Sequence, residues 1–331
     1  MAIEPPLPVV PITIPSETDS AIGYVLVHVP PSPTAPHMVD GRYYGRGERT
    51  RRVLSDAEVL RLHARQESLE LQGARLLDAE VDRDPVPSDA RQLGHLYLVA
   101  QPIAGPPRLA HSFVRGAPQP IYEFIHAPVV IRSDVAEYAP TPDSASVRSN
   151  RANGVALCSH QLSGRGRTLA EYNGAPAPDD GRLLDIELRD DGGLRILAGR
   201  MTAMAANPYG GSPIVVIMDG LAVAYARRLI NWAVETGNRE GWHGTWLLSL
   251  HGDSLRGRES YLFHQTVQSG HGPTFDVEEY REITSASHLE MAQRPGLVAY
   301  RLVDRLVETL GTMNRFKEEL TDASPETPTA S

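Results

Sequence analysis

The sequence predicts a mixed α+β protein in two parts, and three observations predict it. Short apolar runs rich in β-branched residues recur between proline and glycine turns, which is the pattern of strands. Three longer stretches, over 56–77, from near Pro213, and from Leu297 to Leu310, repeat apolar residues at helical spacing. Between the first of these and the rest lies the proline- and aspartate-rich run Asp82 to Asp89, which reads as a boundary. The expected layout is a unit over 1–80, a linker over 81–92, a mixed α/β domain with a mostly antiparallel sheet over 93–311, and a disordered tail over 312–331.

In chain order, Leu7 to Ile14 and Ile22 to Val29 are strand-like runs joined by the turn former Ser16-Glu17-Thr18-Asp19, so they predict a hairpin. Pro30 to Pro33 cannot continue a central strand, because proline has no N–H to donate. Arg42 to Arg46, framed by Gly41, Gly45 and Gly47, is a further short strand. Ser55-Asp56-Ala57-Glu58 is a capping box, and Val59, Leu62, Leu69, Leu76 and Leu77 follow it at helical spacing. That predicts a helix from Asp56 to about Arg65, resuming to Leu77. Leu93 to Ala100, Ile121 to Ile125, Val155 to Cys158 and Leu183 to Leu188 are strand candidates, and Asp190-Asp191-Gly192-Gly193 turns the last of these into a hairpin ending at Leu197. A helix is expected to start at Pro213 and to bury Val216, Leu221, Ala224, Leu229 and Ile230. Trp246 to Leu250 and Tyr261 to Val267 read as paired strands around Gly252-Asp253-Ser254. The last helix begins after Pro295 and stops at Gly311.

Composition narrows the function classes. The 331 residues, 41% hydrophobic and 22% charged, suffice for a sizeable core. The single cysteine, Cys158, forbids an intrachain disulfide and fits a reducing compartment. No apolar run approaches the roughly 20 residues of a membrane span, and no basic region precedes an apolar stretch at the N-terminus, so a cytoplasmic protein without a membrane partner is expected. Net charge is -9, so any contact with a polyanion must use a local patch. Lys317 is the only lysine among 32 basic residues, which we read as codon bias in a GC-rich genome.

Four segments in succession carry a family resemblance: Val27-His28-Val29-Pro30-Pro31-Ser32-Pro33, Pro36-His37, Arg42-Tyr43-Tyr44-Gly45-Arg46-Gly47, and Leu54-Ser55-Asp56-Ala57-Glu58-Val59. Together with Ile3-Glu4-Pro5-Pro6 they resemble the C-terminal half of the Schlafen-type AlbA domain of bacterial regulators, over about residues 3–66. The resemblance implies DNA binding or transcriptional regulation. The remainder, chiefly Gly252 to Ser260 and Tyr280 to Leu310, is similar to regions that accompany this domain in actinobacterial proteins. The helix and strands that normally open the domain, with a Glu-Phe-Lys motif, have no counterpart here. Nuclease activity in animal Schlafens depends on acidic residues of that opening part, so no catalytic residue carries over.

The residues themselves point to one site. Arg42, Arg46, Arg49, Arg51 and Arg52 stand against a single glutamate, Glu48, with Tyr43 and Tyr44 interleaved. Guanidinium groups clamp phosphates and tyrosines stack on bases, so this run is the expected contact with DNA or RNA. The plainer reading is a solvated hairpin whose arginines pair with Asp56 and Glu58. His37 could face a phosphate, although a loop histidine bonded to a carbonyl is simpler. Gly210-Gly211-Ser212 before Pro213 lacks the lysine of a phosphate loop and reads as helix capping. Ser249, His251 and Asp253 alternate as a triad would, but no nucleophile elbow precedes them. His243, His251, His264, His271 and His288 lack metal-ligand spacing, so no metal site and no cofactor is predicted. Trp232, Trp242 and Trp246 read as packing aromatics.

The expected function is therefore a non-enzymatic nucleic-acid-binding or regulatory protein. One alternative is a protein–protein interaction or homo-oligomerising protein that pairs through exposed edge strands. The other is a nuclease or nucleotide-dependent enzyme, for which an upstream part would have to supply the acidic residues.

Overall fold

The computed structural model describes residues 3–4, 10–16, 22–28, 36–46, 50–172, 175–176, 180–207, 210–265 and 272–322. The chain opens with β1 (Ile3–Glu4), β2 (Val10–Pro15), β3 (Gly23–His28), β4 (Met38–Val39), β5 (Arg42–Arg46) and β6 (Arg51–Val53). Strands β2 and β3 form the expected hairpin, in register from Val10↔His28 to Pro15↔Gly23. The other four make an antiparallel sheet in the order β1-β4-β5-β6. Its tightest turn is Asp40-Gly41, both at positive φ (48° and 73°), as a two-residue hairpin requires.

Helix α1 (Asp56–Asp82) starts at the predicted box: the Glu58 carboxylate accepts the Ser55 N–H at 3.0 Å and its hydroxyl at 2.9 Å. It then runs unbroken for 27 residues, without the expected interruption after Arg65 and a little past Leu77, where the resumed helix was expected to end. Gly73 does not break it. A Cβ at that position would lie 2.6 Å from Ile283 Cγ2 and 2.9 Å from Ser249 Oγ, so the glycine lets the helix approach the sheet closely.

The second part is built on a seven-stranded antiparallel sheet. Its members are β7 (Leu96–Pro102), β8 (Val147–Arg151), β9 (Gly154–Cys158), β12 (Leu184–Arg189), β13 (Leu194–Ala198), β16 (Thr245–Gly252) and β17 (Tyr280–Ser287), ordered β17-β16-β7-β13-β12-β9-β8. Two-stranded pieces β10 (Glu171–Tyr172) with β11 (Ala175–Pro176), and β14 (Thr202–Ala205) with β15 (Ile214–Ile217), stand outside it. The helices are α2 (His111–Val114), α3 (Pro118–His126), α4 (Ser133–Ala136), α5 (Asp219–Glu240), α6 (Tyr261–Gln265), α7 (His288–Gln293), α8 (Pro295–Thr309) and α9 (Lys317–Thr321).

Strand alternation divides the sheet into two faces. Leu96, Leu98, Leu184, Ile186, Ile196, Trp246 and Leu248 join α5 and α8 in the large core. Tyr97, Val99 and Leu197 point the other way and pack on Leu76 and Leu77 of α1. The layers are therefore α1, sheet, and α5 with α8.

The α1 face is held largely by buried charge. The Glu80 carboxylate takes Arg167 at 2.6 Å and Arg83 at 2.9 Å, while Asp185 takes Arg167 and Arg151, both at 2.7 Å. These carboxyls are fully or nearly fully buried, and the facing guanidinium groups hold both below the usual carboxylate range against the opposing effect of burial.

Several expectations are corrected. The linker over 81–92 is instead a fixed seam. Asp84 accepts from the Tyr97 hydroxyl (2.6 Å) and the Val86 N–H (2.8 Å) and bonds His95 Nδ1 (2.7 Å), while Arg91 pairs with Asp253 at 2.6 Å. Ile121 to Ile125 lies in helix α3, where Ile121, Phe124 and Ile125 are buried at i, i+3, i+4 behind Pro118 at the helix start. No helix starts at Pro213. Ile214 to Ile217 pairs with β14, and α5 begins at Asp219. Tyr261 to Gln265 is helical, and β16 pairs instead with β17, from Thr245↔Ser287 to Gly252↔Tyr280, and with β7 on its other side. The tail is ordered to Asp322: Leu320 is buried, and the Asp322 carboxylate accepts the Gly296 and Leu297 N–H groups at 2.6 and 2.9 Å, capping α8. Residues 323–331 lie outside the described residues.

Candidate functional site

The β5–β6 ribbon sorts the expected arginines onto two faces. Tyr44 stands opposite Val53, Gly45 opposite Arg52, and position 46 opposite position 51. By alternation Arg42, Tyr44, Arg51 and Val53 share the outer face, whereas Tyr43, Gly45 and Arg52 share the inner one. The inner face meets α1. Tyr43 packs edge-on to His63 with ring centroids 6.4 Å apart, and a Cβ at Gly45 would overlap Leu54 Cδ2 at 2.5 Å.

Arg52 is neutralised there. Its Nη1 and Nη2 donate to the two Glu58 oxygens at 2.7 and 2.5 Å. That bond, with the Ser55 N–H, holds the Glu58 carboxyl down at about 2 and raises Arg52 above its ordinary value. The plain reading of the sequence, arginine paired with helix carboxylate, thus holds for Arg52.

It does not hold for the outer face. Arg42 and Arg51 are exposed, and neither is ion-paired to a carboxylate among the described residues. The Arg51 guanidinium lies 5.4 Å from the centroid of the Tyr44 ring, a cation–π arrangement that leaves its charge uncompensated. The Arg46 backbone pairs with Arg51, and Arg49 lies outside the described residues. His37 is half-buried just before β4. The site is thus two exposed guanidinium groups flanking a tyrosine, carried on a ribbon pinned to α1 from beneath.

Other candidate chemistry disperses. Ser249 and His251 are buried beneath α1, while Asp253 is engaged by Arg91 and by the His95 N–H at 2.8 Å, so the three form no relay. Burial pushes His251 below its ordinary value, which keeps it neutral. His243 and His288 face each other through Nδ1 atoms 3.3 Å apart, yet no group of three metal-ligating side chains assembles among the described residues. The Gly210-Gly211 turn leads into a strand, so it offers no helix dipole. Among the described residues, no helix is long and apolar enough to cross a membrane. The α1 seam and its ion network escaped sequence reasoning, because partners such as Arg91 and Asp253 lie 162 residues apart.

No family model, no curated protein and no solved structure matches this chain.

Proposed function

We propose that this protein binds nucleic acid in a regulatory role, contacting phosphates of DNA or RNA through the outer face of the β5–β6 ribbon. The observation that carries the reading is the exposed pair Arg42 and Arg51 flanking Tyr44 without a carboxylate partner. Guanidinium groups take phosphate oxygens bidentately, and the tyrosine beside them offers a ring to an unstacked base. The inner-face contacts to His63 and Glu58 fix the ribbon before any ligand arrives. The resemblance of residues 3–66 to the second half of the Schlafen-type AlbA domain points to the same chemistry. The test is fluorescence anisotropy of the full chain with labelled duplex DNA, single-stranded DNA and RNA across a salt series. Replacing Arg42 and Arg51 together by glutamate should weaken binding at least tenfold at low salt and lower the salt slope by about 2, one per phosphate contact. Unchanged affinity in that variant, or no binding at low salt, rejects the reading.

A second reading rests on a separate observation. The β2–β3 ribbon exposes Tyr24 at 75%, Val25 at 66%, Leu26 at 53% and Val27 at 52%, so apolar side chains lie bare on both of its faces. Its outer edges are unpaired among the described residues, and an unpaired edge is a template for another strand. Pairing with a second copy of this chain would cover it.

A further inference from the structure

Where α5 ends and β16 begins, two histidines 45 residues apart in the chain meet ring to ring. His288 opens α7 directly after β17 and is only 6% exposed. Its ring is seated on the last turns of α5: a Cβ on Gly237 would fall 2.5 Å from His288 Cδ2 and 2.9 Å from its Nε2. The same Nε2 bonds the Val234 carbonyl at 3.1 Å. In an imidazole, Nδ1 is the atom across the ring from the Nε2–Cδ2 edge, so here it faces away from α5. It faces His243, whose own Nδ1 lies 3.3 Å off.

His243 is exposed, yet its backbone is fixed on both sides. It sits in the short turn between α5 and β16. There the Trp242 N–H donates to the Gly237 carbonyl at 2.8 Å, and the Gly244 carbonyl accepts the His288 N–H at 2.9 Å. Trp242 is further held edge-on to Trp246, with ring centroids 5.4 Å apart. Hydrogen bonding also fixes the tautomers. The Val234 carbonyl can only accept, so His288 carries its proton on Nε2 and presents a bare lone pair at Nδ1. The Nδ1–H of His243 donates to that lone pair. Burial pushes His288 below its ordinary value, which favours the neutral ring.

We propose that His243 and His288 together bind one divalent transition cation of the zinc class through their two Nδ1 atoms, with water completing its shell. Nitrogens held by tetrahedral zinc at about 2.0–2.1 Å stand about 3.4 Å from each other, close to the separation this pair already has. Binding needs no net loss of a proton: the one on His243 passes through solvent from Nδ1 to Nε2. The bond from His288 Nε2 to the Val234 carbonyl is the kind of outer contact that orients a metal-bound imidazole. Two neutral imidazoles suit zinc, nickel or copper and do not suit magnesium or calcium, which take oxygen. With half the protein ligands of a closed structural zinc site, a dissociation constant on the order of 10 µM is expected. The pair is separate from the arginine ribbon and stands whether or not that ribbon binds nucleic acid.

The experiment is titration calorimetry of the full chain with Zn²⁺ and, as the oxygen-seeking counterpart, Mg²⁺, alongside NMR of the histidine Cε1–H signals. Zinc should fill a site in the micromolar range and shift the His243 and His288 signals, and magnesium should do neither. The chain has 12 histidines, so the His288 signal is the readout that singles out this pair. His243→Ala changes an exposed side chain, so it should keep the wild-type melting curve without metal. It should also weaken zinc binding, read at His288, by at least about tenfold. No zinc binding below about 1 mM, zinc binding that leaves the His288 signal unmoved, magnesium binding as well as zinc, or His243→Ala binding like wild type at His288 overturns the proposal.

Discussion

Asp219 shows how one buried carboxyl sets a pH dependence. It is fully buried at the start of α5, where its oxygens accept from Ser260 Oγ (2.8 Å) and Thr312 Oγ1 (2.7 Å). Burial outweighs those bonds and raises it from 3.8 to about 6. A carboxyl raised on folding favours the folded state while it is protonated. Its contribution is full below the unfolded value and fades as pH rises through about 6. Urea unfolding at pH 5 and pH 7.5 should therefore show a loss of about 1 kcal/mol on going up, absent in Asp219→Asn. An identical pH dependence in the variant would mean that the titration belongs to another group. The residue scale is also where the sequence was least legible. Arg51 and Arg52 are adjacent and chemically identical, and only the pairing register sends one to solvent and the other to Glu58.

Elements were legible where their signal was local. The Ser55-to-Glu58 box, the hairpin closed by Asp190 to Gly193, and the Pro295 helix start all stand where expected. The Asp40-Gly41 hairpin was not anticipated, although Asp-Gly suits two successive positive φ angles and its signal is equally local. Short apolar runs misled instead. Ile121 to Ile125 is equally compatible with a strand or one turn and a half of helix, and only the core behind it decides. Gly73 illustrates how an element answers to its neighbours. Alanine there would favour the helix by about 1 kcal/mol, yet its Cβ would meet Ile283 and Ser249 at 2.6 and 2.9 Å. Crowding of that kind costs about 1–3 kcal/mol, so Gly73→Ala should lower stability in urea unfolding by roughly 1 kcal/mol net. A stabilised variant would mean that α1 does not press on the sheet at this point.

The whole molecule is a three-layer α/β/α arrangement with a strand-rich appendage at its N-terminal end. Sequence composition anticipated an α+β protein with a mainly antiparallel sheet, but not the seven-strand order, in which β16 inserts between β17 and β7. Such order depends on contacts distant along the chain, which no local pattern encodes. Exposed apolar side chains concentrate in the appendage and α1: Ile14, Ile22, Tyr24, Val25, Leu26, Val27, Val53, Leu60 and Leu71. Sedimentation velocity should accordingly find a concentration-dependent dimer that Val25→Lys with Val27→Lys makes monomeric. A monomer at every concentration in the wild-type chain eliminates self-pairing.

Helix α1 has a mechanical consequence. At 27 residues it extends about 40 Å, with its far end clamped by Glu80 and Leu77 and its near end carrying the ribbon. A load applied to the arginines is thus conveyed along a stiff rod to the underside of the sheet. Labels placed at either end would report tilting of that rod as a change in separation.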